Sequence, residues 1–199
     1  MYIKKMSGYL IGDKLTFCKS NKKTINFQPD MFESVNFNNW ITVLDLKTCL
    51  ICRSLHGKIY YKNEVADVLP PVHNNCRCEI VPLLSVEAGK STLDGVSGAD
   101  WWIKYYGVLP DNYLTKYDAK KLGWVNALGN LSSVAPDKSI GGDIYRNRNG
   151  HLPNNIGRVW READINYAGG YRGSSRIIYS NDGLIFVTYD HYRTFVEII

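Results

Sequence analysis

Toward the C-terminal end, three runs concentrate β-branched and aromatic residues: RIIYS (176–180), LIFVTYD (184–190) and TFVEII (194–199). Runs of this kind predict strands, and the Asn181-Asp182-Gly183 step joining the first two is turn chemistry. Upstream the signals become helical. DWWIKYYG (100–107) opens on an acid and stops at Gly107. TKYDAKKLG (115–123) offers Thr115 as an N-cap with Asp118 three residues on, and Gly123 as its end. GNLSSVAP (129–136) leaves room for one short helical turn before Pro136. Helices followed by a run of strands predict an α+β fold, with the helices packed on a twisted antiparallel sheet over about residues 97–199.

The first part of the chain has a different chemistry. All five cysteines, Cys18, Cys49, Cys52, Cys76 and Cys78, fall within its first 78 residues. Between the two parts runs the small, polar stretch LSVEAGKSTLDGVSGAD, which predicts a linker over 84–96. Its GKST is not a phosphate loop, because that loop needs a glycine five residues before Gly89 and Leu84 stands there. The expected organisation is therefore a Cys/His-rich module over 1–83, the linker, and the α+β domain over 97–199. The net charge of +5 is uneven: residues 1–90 carry 12 basic against 8 acidic side chains, and residues 91–199 carry 12 against 11. Any nucleic-acid reading must then rest on local clustering and not on bulk charge. No run nears the ~20 apolar residues that span a bilayer, and the opening MYIKKMSGYLIGDKL is too short in apolar residues for a signal peptide.

DLKTCLICRSLHGK places Cys49 and Cys52 as C-x-x-C, and PPVHNNCRC supplies His73, Cys76 and Cys78 after 20 intervening residues. Such a set can converge tetrahedrally on Zn²⁺ through Cys49, Cys52, His73 and Cys76, with Cys78 as an alternative fourth ligand. Two disulfides, or a reduced cluster without metal, use the same residues; Cys18 reads as a lone thiol. Over about residues 40–82 the pattern W…D.KTC..C..L.GK…PP.H..CRC resembles the phage head-morphogenesis (minor head protein) family. That resemblance implies packaging or delivery, with a toxin fused behind.

GRVWREADINY (157–167) sets Arg158, Arg161, Glu162 and Asp164 within seven residues, and Arg172 and Arg176 follow. By itself this is a salt-bridged surface as readily as a site. His151 lies in a Gly/Asn/Pro loop and reads as solvated, whereas His191 ends a strand pattern between tyrosines. A carboxylate and a strand-end histidine make a minimal base–acid pair, and nearby cations can stabilise a pentacoordinate phosphorus. This set suits metal-free RNA transesterification, in which the substrate's 2′-OH is the nucleophile.

Residues from about 97 to 199 resemble the barnase family of microbial ribonucleases through LPDNYLTKYDAKKLGWV, GNLSSVAPDKSIGGDIY, GRVWREADINY, SSRIIYS and DHYRTF, in family order. The resemblance implies Glu162 as general base, His191 as general acid, and Lys116, Arg172 and Arg176 as phosphate-binding cations. It implies substrate contacts for Tyr145, Asn147, Arg148, Tyr192 and Asp143, and a structural role for Asp164. Its products would be 2′,3′-cyclic phosphates hydrolysed to 3′-phosphates, with no catalytic cofactor. It also implies single-stranded RNA as substrate, a monomeric enzyme, and a small acidic inhibitor as protective partner. The chain departs from the family at Asn149, where an acid that accepts from guanine is expected, and at Gly183 and Gly107. Trp124 and Trp160 read as core aromatics. The expectation is an endoribonuclease, secreted or delivered to target cells, with no membrane partner and carried by a phage-like particle; the rival is an inactive structural or RNA-binding head component.

Overall fold

The computed structural model describes residues 29–64 and 66–199; Cys18 and the N-terminal lysine-bearing run lie outside them. The first part of the chain forms β1 (Phe32–Thr42), α1 (Leu50–Leu55), β2 (Ile59–Tyr61) and β3 (Cys78–Val86). Next come α2 (Ala99–Tyr106), β4 (Tyr113–Leu114), α3 (Lys116–Lys121) and α4 (Leu131–Val134). The antiparallel series β5 (Ser139–Tyr145), β6 (Trp160–Asp164), β7 (Arg176–Ser180), β8 (Ile185–Thr188) and β9 (Val196–Ile198) ends the chain.

Helices and strands segregate as an α+β fold, but the sheet is larger than the second half alone and is mixed. Its order is β2-β1-β3-β9-β8-β7-β6-β5-β4. β3 pairs in parallel with β9, and β4 with β5; the other neighbours are antiparallel. This corrects the antiparallel expectation. Each parallel pair needs a long crossover, and here α3 and α4 bridge β4 to β5, while nearly the whole second half bridges β3 to β9.

Residues 84–96, linker-like in sequence, open inside β3, where Ser85 and Val86 pair with Glu197 and Ile198. The rest of the stretch is pinned by Asp100, fully buried at the start of α2. Its carboxylate accepts hydrogen bonds from the Gly89 and Ser91 amides (2.8 and 3.0 Å) and from the Ser91 and Thr92 hydroxyls (2.7 and 3.1 Å). A buried carboxylate requires such donors, which explains small polar residues at this point.

Side chains on successive strand positions point to opposite faces, and the core follows that rule. Ile177 and Val187 join Ala99 and Ile103 of α2 in one cluster. Ile178 and Phe186 face the other way, against Trp160 and Phe195. That second cluster also takes Phe37, Ile59 and Leu83 from β1, β2 and β3, so the first part of the chain shares a core with the second. Trp124 and Trp160 are both buried.

Candidate active site

Glu162 sits in the middle of β6, opposite Asp143 on β5 and Ile178 on β7. Trp160, Glu162 and Asp164 alternate onto one face of the sheet. The three have different surroundings: Trp160 enters the core, Glu162 meets the cleft, and Asp164 is 2% exposed.

Two groups hold the Glu162 carboxylate. Lys116 Nζ lies 2.6 Å from Oε1, and the Tyr192 hydroxyl donates to Oε2 at 2.5 Å. Burial pushes the Glu162 pKa up, but the hydrogen bonds from Lys116 and Tyr192, with the charges of Lys116 and Arg172, outweigh it and hold the carboxyl below its ordinary value. Lys116 arrives there because Thr115 caps α3, accepting from the Asp118 amide at 3.1 Å. The Asp143 carboxylate accepts the Lys116 backbone N–H at 3.0 Å, tying the start of α3 to β5.

Arg172 and Arg176 converge on Asp164. Arg172 donates through Nε and Nη2 to the two carboxylate oxygens at 2.6 and 2.7 Å, the bidentate geometry in which charge-assisted pairs are strongest. Arg176 Nε lies 2.9 Å from Oδ1, and its Nη1 donates to the Gly173 and Ser175 carbonyls. Lys116, Glu162, His191 and Tyr192 line the open cleft directly; of the two arginines, Arg172 acts on Glu162 and both act on Tyr192 through their field.

His191 is exposed at the cleft on the turn between β8 and β9. Both His191 (φ 61°) and Tyr192 (φ 68°) adopt left-handed backbone, costly for residues with a Cβ. Asp190 over-determines that turn: its carboxylate accepts from the Thr188 and Thr194 hydroxyls and the Arg193 and Thr194 amides at 2.7–3.1 Å. The Tyr192 ring stacks on Tyr145 with centroids 5.1 Å apart.

In the loop after β5, Arg148 and Asn149 are exposed at the cleft. The Asn147 side chain serves its own loop, donating to the Leu152 carbonyl and the Asn154 side chain and accepting the Leu152 amide. His151 is not the solvated residue its sequence context suggests. Its carbonyl accepts the Ile59 amide at 2.7 Å, its ring meets Phe195 edge-on, and its Nδ1 is buried. The first part of the chain covers it.

Three cleft residues come from that first part: Leu44, Arg53 and His56. Arg146 and Arg193 line the cleft as well. Nothing in the sequence marks these five, because they come from segments far apart in the chain and a single surface arginine carries no pattern.

Away from the cleft, Cys49 Sγ and Cys52 Sγ lie 3.3 and 3.2 Å from His73 Nε2, and Cys52 Sγ is 3.8 Å from Cys76 Sγ. Cys52, Cys76 and Cys78 form a second close triad around the same sulfur. Separations of this size match ligands sharing one tetrahedral ion with bonds of about 2.0–2.3 Å. All four of these cysteines are free thiols, which corrects the disulfide alternative for them.

Comparison with known proteins gives one family model, described as ribonuclease, over residues 103–199. A ribonuclease of Heyndrickxia coagulans is 57% identical over 108 residues, which are 54% of this chain and 96% of that protein. Ribonucleases of Bacillus intermedius and Bacillus pumilus are also 57% identical over 108 residues, and there the match spans 65% of each relative's length.

Proposed function

Since the chain belongs to the barnase family of ribonucleases and is an endoribonuclease, we propose that it cleaves single-stranded RNA by metal-free transphosphorylation in the cleft between β6 and the β8–β9 turn. The observation that carries this reading is a carboxylate, Glu162, held ionised by Lys116 and Tyr192 in a cleft that His191 also lines. Glu162 takes the 2′-OH proton, the 2′-oxygen attacks phosphorus, and His191 protonates the departing 5′-oxygen. In the second step His191 takes a proton from water and Glu162 returns one to the 2′-oxygen, opening the 2′,3′-cyclic phosphate to a 3′-phosphate. Lys116, with Arg172 and Arg176 oriented by Asp164, offsets the negative charge that develops on phosphorus. Tyr145 and Tyr192 offer a stacked aromatic wall for a base, Asp143 fixes the start of α3, and Asn147 shapes the loop that presents Arg148 and Asn149. Asn149 accepts hydrogen bonds without the assistance of a charge, so guanine preference is expected to be weak.

The test is cleavage of single-stranded RNA in EDTA by the whole chain and by Glu162→Ala and His191→Ala. Each substitution should lower the rate by about 10²–10⁴-fold while leaving folding intact, and products should carry 2′,3′-cyclic ends. Full activity in Glu162→Ala would sink the base assignment.

A structural Zn²⁺ held by Cys49, Cys52, His73 and Cys76 is proposed for the Cys/His cluster, with Cys78 as the neighbouring alternative. The ion would tether α1 to the 73–78 turn, and its coordination chemistry ends there. Metal analysis should return about one Zn²⁺ per chain, and a strong chelator should lower the melting temperature without changing the rate on a dinucleotide. Delivery to target cells, carriage by a phage-like particle, and a small acidic inhibitor that covers Lys116 and His191 belong to the same proposal. The inhibitor is tested by asking whether Lys116→Ala weakens its capture.

A further inference from the structure

The wall of the cleft facing the catalytic strands is not built by the ribonuclease-matching residues. It is built by Leu44, Arg53 and His56, the last two on α1 and at its C-terminal end. Contact here is close. A Cβ on Gly57 would stand 2.2 Å from the Arg193 carbonyl oxygen, and the Ile59 amide donates to the His151 carbonyl. The α1–β2 connection therefore rests against both loops that frame the cleft, the one following β5 and the one bearing His191.

Arg53 is exposed on that wall. One Nη2–H goes to the Asp45 carbonyl at 2.8 Å, and the Asp45 carboxylate is itself taken by Arg77 through two bonds of 2.7 Å. Among the described residues, Arg53 forms no ion pair, so its charge faces the cleft uncompensated. His56 accepts the Thr42 amide on Nδ1 at 3.1 Å, which makes its Nε2–H the free donor. With Lys116, Arg146, Arg148 and Arg193, the cleft gathers five cations against one carboxylate, Glu162. Its volume is about 990 Å³, near the top of the ~300–1,000 Å³ range of small-ligand sites.

We propose that Arg53, with His56 beside it, forms an RNA-backbone subsite that the N-terminal part of the chain adds to the ribonuclease cleft, binding a phosphate beyond the one being cleaved. The inference rests on the ribonuclease assignment of the cleft. A guanidinium holding a phosphate in a polyanion adds affinity for longer RNA and leaves the chemistry of a dinucleotide untouched.

The experiment compares the full chain with Arg53→Gln and Arg53→Lys, on a dinucleoside phosphate and on a single-stranded RNA of about 20 nucleotides, at several salt concentrations. Arg53→Gln can keep the bond to the Asp45 carbonyl while removing the charge, and its fold is checked by melting temperature. The expected result is an unchanged kcat and KM on the dinucleotide, and a KM on the longer RNA raised about tenfold at constant kcat, the size of one charge-assisted contact. The slope of log kcat/KM against log salt should flatten by about 0.7, the loss of one phosphate contact on a single strand. Arg53→Lys should recover most of the slope. An unchanged KM and slope on the longer RNA would overturn the inference, as would a lowered KM, which would make the wall an obstruction. If the wild-type chain cleaves neither substrate, the assignment of the cleft itself fails, and the inference fails with it.

Discussion

Glu162 carries opposing influences that a substitution can separate. Burial raises its pKa, and Lys116 and Tyr192 bring it down by bonding the charged form. Removing a donor leaves burial less opposed, so the pKa rises. In the proposed mechanism the acid limb of kcat/KM reports this group in the free enzyme. That limb should lie below the ordinary glutamate range in the wild type and move to higher pH in Lys116→Ala and in Tyr192→Phe; a pH–rate profile of cyclic-phosphate formation checks the direction. Asp164 presents a different case, because it is buried with Arg176 buried and Arg172 half-buried against it. Asp164→Ala would leave the Arg172 and Arg176 guanidinium groups without their anion, and should cost about 3–5 kcal/mol in denaturant unfolding.

The turn between β8 and β9 holds two consecutive left-handed residues, and Asp190 supplies its bonding. Asp190→Ala should therefore loosen His191, reducing kcat on a dinucleotide more than KM, with about 1–3 kcal/mol of stability lost. Gly57 acts on the same turn from outside: at φ 83° and pressed on the Arg193 carbonyl, it has no room for a Cβ. Gly57→Ala should lower the melting temperature and disturb His191 together. Elements with local causes are legible in the sequence. Thr115 caps α3 as its spacing suggests, Gly107 closes α2 at φ 73°, and the β-branched runs become β7, β8 and β9. β6 is not legible, because WREAD places three charged residues in a strand flanked on both sides. Their partners, Lys116, Tyr192, Arg172 and Arg176, come from other elements, so only tertiary structure makes that strand tolerable. β1 is hidden for another reason. Its register shifts between Glu33 and Asn38, where the Ser34 hydroxyl oxygen accepts the Asn36 and Phe37 amides, and the shift breaks the period of two. The proposed base and acid, Glu162 and His191, stand in recognisable motifs, but the Arg53 wall does not, since it depends on how two distant segments dock.

Phe37, Ile59 and Leu83 share a cluster with Trp160, Ile178 and Phe186, so the two parts are expected to unfold together. Phe37→Ala should cost about 3–5 kcal/mol, and tryptophan fluorescence and circular dichroism should report one coincident transition. Two transitions would mean that the parts melt separately. The strand order has a further consequence, concerning what the molecule refuses to do. Open sheet edges invite other chains to add strands. Here the long β1 and the C-terminal β9 are both paired on either side, and the rims are β2, three residues long, and β4, two. The rim strands themselves offer a passing strand ladders of only three and two residues. The sheet is built to stop growing, and a protein that must fold around a charged cleft gains from that a defence against its own kind.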